Sequence, residues 1–403
     1  MSFSFNKIPG RPRVLRAPAA ILPALRGGFF RVYLTGCLGF FSANAMAGPT
    51  PINTEFADQQ ILLTLPEPAL ATTAPPSDPD QLADLLQKQI QQARRTGDPR
   101  FFGYAEGLLN QWKAPLTDRL RVLKATIDQS NHRFEQARDA LQDIINTSSS
   151  RQQALQALLI LANINLVQGD YQAAARHCDL LASRMPGLIA SSCQAQVRAR
   201  TGQPKAAYQS LQTELARAST GDTSARLWAE GTLGDIAAQM GDPAAEVHWR
   251  NVLAVAPDDL YIRTQLADWH LDRQAPEQAL TLTADYEQVD SLAVLRAIAM
   301  KRAGDPGADP LAEALKQRFS EAQWRGNLLH KREFARFQLD IEGDAQQALA
   351  TAEANWTDQR EPADTRLLLR AAIAAGDGNQ ASAVRKWLSR TGQEDARFPG
   401  AEL

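Results

Sequence analysis

The sequence predicts an all-α chain, a solenoid of stacked antiparallel helix pairs. Three observations carry that expectation. Phe, Trp and Tyr make up only 7% of the chain and no long stretch alternates apolar and polar with period two, which disfavours sheet. At 403 residues the chain is too long for one ordinary compact core. Finally, a short turn recurs at Gly169, Gly202, Gly241, Gln274, Gly304, Gly343 and Gly376, at intervals of 33, 39, 33, 30, 39 and 33 residues.

The first 47 residues read as an address. Lys7, Arg11, Arg13, Arg16, Arg26 and Arg31 are the only charged residues there, residues 32–43 form an apolar run, and Ala45-Met46-Ala47 supplies a small-x-small cleavage pattern. We therefore expect a signal peptide over 1–47, cleaved after Ala47, with export by the general secretory route and a start codon downstream of Met1. The alternatives are an uncleaved inner-membrane anchor, or a lipobox at Leu34-Thr35-Gly36-Cys37 that would make the chain a lipoprotein through Cys37. The apolar run is short for a membrane span. Residues 48–80 hold seven prolines interspersed with threonines and read as an extended linker, with Ile61–Leu65 as its one apolar stretch. Without the leader the chain carries 37 basic and 45 acidic residues, a net charge of −8. That balance argues against nucleic acid as a partner, which would need a basic stripe.

Helical periodicity begins near Gln81, with Leu82, Leu85, Leu86 and Ile90 on one face and Asp78 or Asp80 as cap. After Thr96-Gly97-Asp98-Pro99, the aromatic-rich run Phe101–Trp112 suits a second helix at the end of an array. A further pair turns near His132, with Ala125 seven before it and Phe134, Ala137, Leu141 and Ile144 after it. Residues 81–147 are thus divergent helix pairs, 148–395 a repeat array and 396–403 a C-terminal tail. The best copy is residues 158–186, where Leu161 and Ala162 precede Gly169 by eight and seven residues and Tyr171, Ala174, Leu181 and Pro186 follow it by two, five, twelve and seventeen. The copy at Gly241 runs one residue short after the turn, placing Ala245, Trp249, Val252 and Pro257. Gly-Asp-Pro-Gly-Ala-Asp-Pro after Ala303 delays the next helix to about Leu311. Glycine accepts the left-handed turn conformation, and alanine five residues on lets two helices approach closely.

Residues 158–186, and the 34.5-residue mean spacing of the seven turns, resemble the tetratricopeptide (TPR) repeat, whose period is 34. The resemblance covers residues 81–395 and implies a right-handed superhelix with a concave groove lined by the first helix of each pair, where ligands of the family usually lie. It implies a scaffold and says little about chemistry. The residue six before each turn should face the groove: Asn163, Gln196, Asp235, Asp268, Ile298, Phe337 and Arg370. One helical turn away lie Trp228, Tyr261, Thr264 and Asp272, with Arg366 further along. Trp228, Asp235, Tyr261, Asp268 and Asp272 are our candidate site for a basic or amphipathic segment of a partner, an aromatic and acidic composition suited to a hot spot. The alternative is that the rings fill gaps between helices and the acids are solvated.

In this fold Cys178, on the second helix of one repeat, and Cys193, on the first helix of the next, lie on elements that pack together. In an oxidising compartment they can form a disulfide; otherwise they are two small buried thiols, or with His177 a metal site. The histidines show no HExxH pairing, and neither GxSxG nor a phosphate-binding loop is present. No catalytic residue, metal ligand or cofactor is assigned. The expected function is a non-enzymatic adaptor that binds another cell-envelope protein through its groove. The alternatives are a membrane-tethered assembly accessory, with membrane contact only through an uncleaved or lipidated N-terminal segment, and an envelope hydrolase on a helical superhelix.

Overall fold

The computed structural model describes residues 76–219, 221–326 and 328–400. The leader, Cys37, Ile61–Leu65 and the last three residues lie outside them. The described residues form eighteen α-helices and no strand, an α-solenoid of nine antiparallel pairs. The pairs are α1 (Pro79–Thr96) with α2 (Arg100–Gln111), α3 (Asp118–Ser130) with α4 (Phe134–Thr147), and α5 (Arg151–Gln168) with α6 (Tyr171–Arg184). Next come α7 (Leu188–Ala199) with α8 (Pro204–Arg217), α9 (Thr223–Gln239) with α10 (Ala244–Val255), and α11 (Leu260–Asp272) with α12 (Pro276–Thr283). The last are α13 (Asp290–Ala303) with α14 (Ala308–Trp324), α15 (Lys331–Phe337) with α16 (Ala345–Trp356), and α17 (Pro362–Ala374) with α18 (Gly378–Thr391). Helix α14 begins at Ala308, three residues earlier than the proline-rich turn suggested.

Each turn is built in one way. The seven turn positions and His132 all have positive φ, including the non-glycine residues His132 (58°) and Gln274 (59°). Except at Gly343, the next residue donates its N–H to the carbonyl five back, as Asp170 does to Asn165 (2.9 Å) and Ala275 to His270 (3.0 Å). This is the Schellman closure, which satisfies carbonyls that the helix end leaves open. In three of the Gly-Asp turns the aspartate then caps the second helix: Asp170, Asp344 and Asp377 accept from Ala173, Gln347 and Gln380. Two residues thus end one helix and start the next, which sets the tight antiparallel pairing.

Packing follows the small residues. Ala125, Ala162, Ala195, Ala267 and Ala297, each seven before a turn, are buried, as are Ala137, Ala174, Ala207, Ala279, Ala348 and Ala381, each five after one. At the short-register repeat Ala245, Trp249 and Val252 are the buried residues of α10. The Gly343 turn is the exception. There α15 runs into a π-helical turn, Gln338–Glu342, and the closing bond spans six residues, Asp344 N–H to Gln338 (3.0 Å). One residue is inserted, so the buried alanine is Ala335, eight before the turn.

Consecutive repeats α5–α6 and α7–α8 are joined covalently. Cys178 and Cys193 form a disulfide with their Cα atoms 5.5 Å apart, inside a core cluster with Leu158, Ala162 and Leu181. His177 turns away from it, its Nδ1 3.2 Å from the Asn165 amide.

The array also closes on itself. The Arg360 N–H donates to the Val167 carbonyl at the end of α5 (2.6 Å), and Trp387 of α18 packs beside Tyr171. Gly392 abuts Thr201 and Gly202. The segment after α18 then crosses the C-terminal ends of the first helices. The Gln393 amide donates to the Tyr171 hydroxyl (2.8 Å), the Gln239 amide to the Glu394 carbonyl (2.6 Å), and the Ala396 N–H to the Gln239 carbonyl (2.8 Å). Gln393, Asp395 and Phe398 are buried there. Carbonyls left open at helix ends are natural acceptors for such a strap.

Candidate functional site

Closure decides what becomes of the face expected to be a groove. Asp268 and Asp272 project from the last two turns of α11, one helical turn apart. Facing them is Arg366 of α17, which bonds to both carboxylates. Asp268 also pairs with Arg336 (2.8 Å), whose Nε reaches Asp340 of the π-helical turn (2.7 Å), and Asp340 in turn receives Arg370. Acid and base alternate along the run Asp272, Arg366, Asp268, Arg336, Asp340, Arg370. Burial alone would raise the Asp268 carboxyl; the Arg336 and Arg366 guanidiniums overcome it and hold the group well below the ordinary carboxylate range.

A second network lies beside the first. Arg332 of α15 makes a bidentate pair with Asp364 (2.5 and 2.7 Å) and reaches Glu361 (2.8 Å) at the start of α17, while Arg200, just after α7, stands 3.6 Å from Glu361. Asp364 also accepts from the Asn355 amide (2.7 Å). Burial opposes ionisation of Glu361, yet Arg332 and Arg200 bring it down to about 2.

Asp235 is held differently. It accepts from the Trp249 indole (3.1 Å) and the Tyr261 hydroxyl (2.9 Å). Trp249 reaches it because position 234, seven residues before Gly241, is glycine: a Cβ there would stand 2.5 Å from the indole nitrogen. Burial raises the Asp235 carboxyl to about 6, against the lowering effect of its two donors.

The structure therefore brings four of the five expected site residues together in two internal networks, Asp235 with Tyr261 and Asp268 with Asp272. Trp228 stands apart, buried in the core between α7, α8 and α9. An open acidic groove awaiting a basic segment is replaced by a closed one, because the chain supplies its own guanidiniums from α15 and α17. Phe337 likewise does not face the groove. It packs in the core against Phe319, and the inserted π-turn residue puts Arg336 in its place.

Two half-open pockets lie along this face, of about 50 Å³ beside Arg200, Asp235 and Glu361 and about 70 Å³ beside Asp268, Arg336 and Arg370. Each has room for a few waters, far less than an organic ligand occupies. Asp235 and Glu361, with pKa values pushed apart across one cavity, are superficially the pairing used in acid–base catalysis. Both carboxylates are engaged by donors of the chain itself.

Asp235 gives a pH signature. With a folded pKa of about 6, above the ordinary 3.8, its contribution to stability is complete below about pH 4 and lost as pH rises through 6. In Asp235→Asn the amide can accept from Trp249 and donate to the Tyr261 oxygen. Urea unfolding from pH 4 to 7.5 should show wild type losing on the order of 2–3 kcal/mol relative to the variant. Parallel profiles would mean that Asp235 does not titrate as described.

Fold and geometry define a TPR-like α-solenoid with an internally paired concave face. No protein-family model and no curated protein matches the chain. Among solved structures, a signal-transduction ATPase with numerous domains that carries a tetratricopeptide repeat sensor, from Pyrococcus horikoshii, is 13% identical with a TM-score of 0.38. That match covers 78% of this chain and 47% of the other, so the chain spans about half the length of that protein. The TPR domain of P58(IPK) is 14% identical with a TM-score of 0.20, over 73% of this chain and 94% of that one.

Proposed function

We propose that the chain is a non-catalytic repeat scaffold of the cell envelope that binds another protein. The observation that carries the reading is the pairing of its inward-facing acids and bases: carboxylates locked to arginines build a rigid frame. Two features support the location, the leader-like residues 1–47 and a buried disulfide between consecutive repeats, a linkage that persists in oxidising compartments. A basic segment of a partner would enter at Asp268 and Asp272 only by displacing Arg366, so partner contact falls first on the outer surfaces of the pairs.

The test is photo-crosslinking in cells from exposed positions such as Tyr104 and Val247, with the captured protein identified and the mature N-terminus read by mass. A recurrent envelope protein and an N-terminus at Gly48 are the expected results. Residence in the cytoplasm, or hydrolysis of an envelope polymer by the purified chain, would overturn the reading.

A further inference from the structure

The strap after α18 is held the way a bound peptide is held. Gln239, the last residue of α9, grips it from one position: its side-chain amide donates to the Glu394 carbonyl (2.6 Å) and its backbone carbonyl accepts from the Ala396 N–H (2.8 Å). The same amide nitrogen also donates to the Ala199 carbonyl at the end of α7 (2.7 Å), which fixes its direction. A donor and an acceptor offered to backbone groups two residues apart bind a segment without reading its side chains. Two side chains then set the register. Gln393 reaches the Tyr171 hydroxyl at the start of α6, and Phe398 is buried in the apolar cluster with Leu349, Leu367 and Val384.

The strap keeps its charges to itself. The buried Asp395 carboxylate accepts from the Arg397 N–H, Nε and Nη2 (2.9, 2.8 and 2.6 Å). Among the described residues no ion pair joins the strap to the helices it crosses. Lifting it therefore exchanges neutral hydrogen bonds and one ring for water and strands no charge, whereas breaking a pair of the concave face does. Closure also has fastenings outside the strap, the Arg360 N–H on the Val167 carbonyl and Trp387 beside Tyr171. Arg397 borders the same half-open pocket as Arg200, Asp235 and Glu361, so lifting the strap widens access to that part of the concave face.

We propose that Gln393–Phe398 is an internal ligand, seated in a peptide-binding site formed by Tyr171, Gln239 and the slot that holds Phe398, and that a protein segment of the same pattern takes its place when the strap lifts. The pattern is glutamine, an acid two residues on and phenylalanine five residues on. The turn between acid and ring is closed within the segment, by the Phe398 N–H on the Asp395 carbonyl (3.0 Å), so a free peptide can carry it. A tethered ligand competes at an effective concentration in the millimolar range, which masks the site from weaker segments. The strap is thus an autoinhibitory contact. The inference goes beyond the scaffold role proposed above and does not need it, because peptide binding by the purified chain is read whether or not an envelope partner is found.

Hydrogen exchange on the wild-type chain reads the lifting directly. The Ala396 N–H should exchange on the order of a hundredfold faster than the core amides of α9, because it opens without unfolding the helices. In the full chain, Gln393→Ala with Phe398→Ala should vacate the site while circular dichroism shows unchanged helix content. Fluorescence anisotropy with a labelled peptide of residues 392–400 should then show binding on the order of tenfold tighter than to wild type. Adding Tyr171→Phe should weaken that peptide about fivefold, the worth of one neutral hydrogen bond, and leave unchanged a peptide with alanine in place of its glutamine. Ala396 exchange as slow as that of α9, no tighter binding by the opened variant, or a Tyr171→Phe effect indifferent to the peptide's glutamine would overturn the proposal. The exchange measurement needs no variant, so it decides the matter even where the opened chain fails to fold.

Discussion

Arg332→Met should destabilise the folded chain by about 3–5 kcal/mol, the range for breaking one side of a buried ion pair. The Asp364 side chain is fully buried and takes two of its bonds from this guanidinium, and Glu361 takes a third. Removing Arg332 leaves a carboxylate in the interior with only the Asn355 amide and the Glu361 N–H as donors. The cost is that of a stranded charge, so neutralising the charge should recover it. Arg332→Met combined with Asp364→Asn should be more stable than Arg332→Met alone. Urea unfolding followed by circular dichroism and tryptophan fluorescence reads both. Costs that simply add in the double variant would show that the pair is not coupled as described.

The disulfide is the second large effect. Cys178 and Cys193 close a loop with a sequence separation of 15, for which the chain-entropy model gives about 3 kcal/mol. Cys178→Ala with Cys193→Ala, or reduction of the wild type, should lower stability by about that amount. The alanine variant should not respond to reductant, because its stability no longer includes the crosslink. Non-reducing peptide mapping of the protein isolated from cells with its thiols blocked should recover one bridged pair; two free thiols would sink the assignment.

Much of the fold was legible because its turns are local. A left-handed residue, a capping aspartate and alanines at fixed offsets are written within a few residues of one another, and even His132 and Gln274, which lack the glycine signal, were found by register. The π-helical turn was not legible. One inserted residue looks the same as an irregular loop, and it moved the inward-facing position from Phe337 to Arg336.

The candidate site was legible in its chemistry and not in its occupant. Acids at 268 and 272 and bases at 366 and 370 fell on the same predicted face, and that complementarity was the signal. Whether opposite charges on one face meet depends on how far the superhelix turns over four repeats, a sum of small rotations that no local pattern records. Burial showed where the charges went: Asp268 and Arg366, 98 residues apart in sequence, bond directly.

Closure also alters how the array carries force. An open solenoid strung between two attachments extends like a spring, with tension passing through each pair in turn. Here the bond from Arg360 to Val167 and that from Gln393 to Tyr171 bridge the helix pairs between them. Tension between the N-terminal helices and the last repeat runs through those few bonds first and bypasses the intervening pairs. The chain behaves as a clasp, stiff under small loads and lengthening by several repeats once the fastening gives.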